Sequence, residues 1–118
     1  MSAGFSYADK LVWGTNGVIE LCLDLMTRRS TEFYGPQDPL SIWLKEAHEG
    51  FYSGCVVHVD DLASDHANAT KLLQVFTAML ADVKKSDQLS AFGKNWVDAQ
   101  LRPYIEGLGA MAPFSGGA

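Results

Sequence analysis

SYADKLVWGTNGVIELCLDLMTRR, residues 6–29, is the stretch on which the fold turns. Taken as a helix starting at SYAD, it places Ala8, Leu11, Thr15, Val18, Cys22, Leu25 and Met26 on one face and runs to about Arg29. Gly14 and Gly17 stand against that, since a glycine inside a helix costs about 1 kcal/mol, and they make GTNG a candidate break. A strand competes over the second half, where Ile19, Leu21, Leu23 and Leu25 alternate with Glu20, Cys22 and Asp24. The helical reading is preferred.

Downstream the signals are local. In GPQDP, Asp38 can accept from backbone N–H groups as an N-cap and Pro39 is preorganised for the first helical position. Leu40, Trp43, Leu44, Ala47 and Phe51 then follow helical spacing, Lys45 can pair with Glu49, and Gly50 can terminate. His48 falls on the polar side. After Gly54, the β-branched run CVVHV reads as one short strand near residues 55–59 or as an extended connector. From about Asp61 to Lys85 the periodicity is strongest: Leu62, Ala69, Leu72, Leu73, Phe76, Met79, Leu80 and Val83 form an apolar stripe, with Lys84 and Lys85 suited to the helix C-terminus. A last helix is expected from Asp87 or Ser90, carrying Phe92, Trp96, Val97, Leu101, Tyr104, Ile105 and Leu108. Pro103 removes a donor and crowds the carbonyl of Ala99, so a kink or fresh turn is expected there, with Arg102 extended. The predicted fold is mainly α: a compact bundle of about four helices in a single domain over residues 1–118, with a flexible tail from about 110.

The chain has 118 residues, 47% hydrophobic and 19% charged, enough for one core. Its net charge of −5 disfavours nucleic acid and anionic membranes and favours a partner with a basic surface. The opening MSAGFSYADKLVW lacks a basic segment ahead of an apolar block, and VIELCLDLM is cut by Glu20 and Asp24, so neither signal peptide nor membrane span is expected. Cys22 and Cys55 form neither a CxxC pair nor a zinc spacing. They are expected as free thiols in a cytoplasmic protein.

The stretch richest in candidate chemistry is GCVVHVDDLASDH, residues 54–66. His58, Asp61, Asp65 and His66 could serve as metal ligands or as an acid/base pair, the basis of an alternative reading as a small enzyme or metal-binding protein. Spacing argues otherwise, because two histidines on one helical face need a separation of three or four. Acidic residues at a helix start have an electrostatic reason of their own, worth ~0.3–1 kcal/mol each. No nucleophile elbow, phosphate loop or dinucleotide fingerprint occurs. No metal, cofactor or catalytic residue is therefore expected.

Aromatic residues in the loops at 32–35 and 51–52 can either anchor a partner or close the ends of the core. LLQVFTAMLADVKKSDQLSAFGKNWVDAQL, residues 72–101, is an amphipathic helix, a polar break and a second helix. It resembles the C-terminal halves of small immunity proteins that accompany bacterial polymorphic and contact-dependent growth inhibition toxins. The resemblance covers about a quarter of the chain and is one of type. It implies a protein that binds a cognate toxin and blocks it, without carrying over catalytic residues. On that reading Asp60, Asp61, Asp65, Tyr34 and Tyr52 would meet the partner. A further alternative is a helical protein that self-associates, as a homo-oligomer, through leftover apolar surface.

Overall fold

In the computed structural model, which describes residues 2–63, 65–111 and 114, the chain opens with a β-hairpin. Strand β1 (Ser2–Tyr7) pairs antiparallel with β2 (Lys10–Thr15), and a third strand, β3 (Val56–His58), joins β1 in parallel to give the order β2-β1-β3. The expected bundle of about four helices, with one short strand near residues 55–59 at most, is thus corrected to a mainly helical chain that carries a three-stranded mixed sheet among the described residues. The reason is a two-residue burial period: Ala3, Phe5, Val12 and Val57 turn inward while Leu11, Trp13 and His58 turn outward. SYAD is the hairpin turn instead of a helix start. Ala8 takes a φ of 52° as its first central residue, which suits a tight turn between antiparallel strands. Gly14 is required on the inner face, because a Cβ there would lie 2.6 Å from Trp96.

The GTNG break is where strand becomes helix. Thr15 caps α1 (Asn16–Tyr34), accepting from the N–H of Val18, and Val18, Ile19, Cys22, Leu23 and Met26 bury at helical spacing. Gly35 ends it at a φ of 90°. Helix α2 (Pro39–Glu49) starts and stops as its sequence dictates: Asp38 accepts from the N–H of Leu40, Pro39 takes the first turn, and Gly50 closes the end.

Between β3 and the long helix α3 (His66–Lys85), residues Val59–Asp61 make one 3₁₀ turn. The core helix therefore begins at His66 instead of Asp61, with Asp65 as its N-cap. Its stripe of Ala69, Leu72, Val75, Phe76, Met79, Leu80 and Val83 is buried, and the ring of Phe76 meets Phe5 edge-on at 5.7 Å, joining helix and sheet. Two ion pairs lock the helices together: Arg29 of α1 grips both carboxylate oxygens of Asp82 at 2.7 and 2.6 Å, and Lys71 of α3 reaches Asp38 at 2.7 Å.

Ser90 caps α4 (Ala91–Trp96), which runs through a π turn (Val97–Leu101) into α5 (Arg102–Gly109). The wider turn absorbs Pro103, which has no N–H to give and would otherwise press on the preceding turn. Arg102 stays helical at φ −57° and ψ −49°, correcting the extended conformation expected for it. The expected flexible tail lies mostly outside the described residues, but Phe114 is buried and meets Tyr7 edge-on at 5.2 Å. No helix among the described residues is long and apolar enough to cross a membrane.

Candidate functional site

The start of α2 sets the phase that builds the site. Trp43, Glu46, Ala47 and Gly50 follow at helical spacing and turn toward β3. The chain reverses at Gly54, whose φ of 87° suits glycine, and lays β3 beside β1 through Gly54 N–H to Ser2 C=O (2.8 Å) and Gly4 N–H to Cys55 C=O (3.1 Å). Between α2 and β3 this leaves a groove of about 310 Å³ with Trp43, Glu46, Tyr52, His58 and Asp61 on its walls.

Its chemistry is acidic and aromatic. Neither Glu46 nor Asp61 takes part in an ion pair, and no Lys or Arg lines the groove among the described residues. Tyr52 is 66% exposed and Trp43 half-buried, so one ring stands free while the other is braced by the core. The C-terminal end of α2, with the negative end of its dipole, adjoins the same wall. His58 Nδ1 lies 3.0 Å from the hydroxyl of Ser6 on the neighbouring strand. A cation with a flat or extended stem suits such a lining.

The five residues expected to meet a partner are not one surface. Asp61 and Tyr52 come together in the groove. Asp60 instead accepts from the N–H of Ala8 at 2.8 Å and tethers the hairpin turn to the 3₁₀ turn. Nearby, the hydroxyl of buried Tyr104 has no hydrogen-bond partner, and burial, with the charge of Asp60, raises its pKa. Asp65 is a cap, accepting from the backbone N–H of Asn68 at 2.8 Å. Tyr34 packs against α3: its hydroxyl donates to Gln74 and its ring lies 5.1 Å from the ammonium of Lys71, with burial the main cause of a raised pKa. Trp43 and Glu46 are the residues that sequence reasoning missed.

The four residues of the metal or acid/base alternative do not form one cluster, although His58 and Asp61 both line the groove. His58 faces Ser6, Asp61 lines the groove, Asp65 caps α3, and His66 contacts Thr70. Among the described residues, no group of three His, Cys, Asp or Glu side chains could hold a metal ion. Cys22 is buried, and that burial pushes its thiol up to about 12, so at neutral pH it is a packing residue instead of a nucleophile.

A larger open groove of about 740 Å³ runs between the first turns of α1 and the start of α4. Asp24 on its wall already pairs with Arg28 at 2.9 Å, which leaves Glu20, among the described residues, as its one unpaired carboxylate beside His48, Gln88 and a single aromatic ring, Phe92. The smaller groove concentrates uncompensated charge and aromatic surface and is the better candidate. No protein-family model, curated protein or solved structure matches the chain.

Proposed function

We propose that the chain is a non-enzymatic binding module that receives a basic protein partner, with a Lys or Arg of that partner seated between α2 and β3. The observation that supports this is the pairing of exposed Tyr52 with two uncompensated carboxylates, Glu46 and Asp61, in one groove. A cation entering there gains the carboxylates and the ring faces together. The net charge of −5 steers a basic partner toward the protein at long range. A toxin held by its immunity protein is the finer form of this reading, and it rests on the resemblance of residues 72–101.

The test is a photo-crosslinking amino acid at Tyr52, used in the native host to identify the bound chain, followed by rate measurements on the purified pair. Glu46→Gln with Asp61→Asn should slow association and flatten its salt dependence, while Tyr52→Ala should speed dissociation. A partner that crosslinks from Tyr34 but not from Tyr52, or one whose rates ignore both sets of substitutions, overturns the assignment. If the captured chain is a toxin that the protein silences, the finer form stands.

A further inference from the structure

The sheet has a second feature, independent of the groove, at its opposite edge. Strand β2 is an edge strand. Its two-residue turn makes Tyr7 and Lys10 the pair that exchanges both hydrogen bonds, so Phe5 with Val12 and Ala3 with Gly14 follow. The N–H and C=O groups of Leu11 and Trp13 consequently point away from β1. The bonds from Gly4 N–H to Cys55 C=O and from Gly54 N–H to Ser2 C=O give the same phase, since they show Ser2 and Gly4 facing β3.

The side chains of this edge are apolar and open to solvent: Leu11 is 48% exposed and Trp13 45%, the indole lying against Gly4. Edge strands that stay single are usually guarded by a proline, a bulge or a charge directed along the edge. Here the register runs without a bulge, β2 contains no proline, and its one charged residue, Lys10, turns its ammonium toward Gly107 of α5.

Charge identifies what fits the edge. Helix α1 starts directly after β2 with no acidic residue in its first turn, so the positive end of its dipole is uncompensated. Asp9, at the hairpin tip, is exposed and outside every ion pair. We propose that β2 pairs antiparallel with β2 of a second copy about a two-fold axis at Val12, forming one continuous six-stranded sheet. Leu11 then lies opposite the partner's Trp13, and Asp9 opposite the partner's Thr15, at the start of the partner's α1. Each of these contacts, one apolar and one charged, occurs twice by symmetry, and the surface is self-complementary, as a closed dimer requires. The other registers, Trp13 facing the partner's Trp13 or Leu11 facing the partner's Leu11, move Asp9 away from the start of the partner's α1 and lose this match.

Sedimentation of the full chain over a wide micromolar range tests the proposal. The expected result is a reversible dimer whose dissociation constant rises about tenfold or more in Leu11→Lys and in Trp13→Lys, since each places a charge on the edge. Asp9→Lys should also weaken it, by a factor that shrinks as salt is added. Leu11→Pro removes only an outward N–H, so it should abolish dimerisation while circular dichroism and thermal melting show the fold retained. Tyr52→Ala, in the groove, should leave the dimer unchanged. A protein that stays monomeric throughout, a dimer indifferent to Leu11→Lys and Trp13→Lys, or a dimer lost in Tyr52→Ala overturns it.

Discussion

Replacing Gly14 by alanine separates a hairpin from a helix by the sign of its effect. In a helix the substitution would stabilise by about 1 kcal/mol, because glycine is the poorer helix former. In the observed fold the new Cβ would sit 2.6, 2.7 and 3.0 Å from three atoms of the Trp96 indole. Such distances are not tolerated, so either the ring swings outward or the hairpin lifts from α4. Overpacking of this kind costs about 1–3 kcal/mol, and release of the half-buried ring into water, worth about 1.5–3 kcal/mol, sets a similar ceiling. The conformational gain of alanine over glycine in a strand returns about 0.5–1 kcal/mol. A net destabilisation of about 1–2 kcal/mol is expected, and with a urea slope of about 2 kcal/mol/M the midpoint should fall by about 0.5–1 M. Repeating the substitution in a Trp96→Leu background completes the test. With the indole gone the penalty should largely vanish, leaving a coupling of about 1 kcal/mol or more between the two positions. A Gly14→Ala protein more stable than wild type, or an equal loss in both backgrounds, would refute the packing of β2 against Trp96.

The remaining predictions concern carboxylates. Asp65→Ala should lower stability by about 0.5–2 kcal/mol through loss of the α3 cap, whereas Asp61→Ala should leave the stability measured in urea within about 0.5 kcal/mol of wild type; equal losses would mean the helix starts earlier than His66. The hydrogen bond from Arg29 holds Asp82 below the usual carboxylate range, and the hydrogen bond from Lys71 does the same for Asp38. A depressed carboxylate pKa contributes stability that is present above the unfolded value of about 3.9 and is lost as pH falls toward the folded value. Thermal melts should therefore fall off below about pH 4, and Asp82→Asn should flatten that acid limb; an acid limb unchanged in this variant would place the sensitivity elsewhere.

Helices α2 and α4 were legible because their start signals are local, whereas α3 was legible from its apolar stripe alone and its start, expected near Asp61, lies at His66. Asp38 followed by Pro39, and Ser90 ahead of Ala91, satisfy backbone donors within three residues, so the short sequence carries the whole physical reason. The hairpin was not legible for the opposite reason. Its turn uses Ala8 and Asp9 without the glycine or asparagine that usually announces a positive φ, and its outward face carries Leu11 and Trp13 where polar residues would mark the alternation. Apolar residues on both faces erase the two-residue period, and what remains looks helical. Gly14 and Gly17 dissented, and the meaning of Gly14 depends on Trp96, a residue 82 positions away that packs on it.

The site shows the same division between near and far. Asp60, Asp61 and Asp65 follow β3 and Glu46 stands on the facing helix, and what separates their roles is whether a backbone N–H reaches each carboxylate. Asp60 receives one from Ala8, across the sheet, and Asp65 receives one from Asn68, three residues on. A carboxylate so engaged has spent its strongest acceptor directions inside the fold, and removing it costs stability before it costs binding. Asp61, one residue from Asp60, faces another direction, into the groove, because the 3₁₀ turn of Val59–Asp61 rotates successive side chains by about a third of a circle. Glu46 joins it only because β3 is held against β1 while α2, packed on α1, lies across the groove from β3. Two adjacent aspartates with the same local sequence signal thus differ, one fastening the hairpin and the other lining the groove, and Asp60→Asn should loosen the fold where Asp61→Asn should leave it intact and, on the proposed binding role, slow only the association of a basic partner.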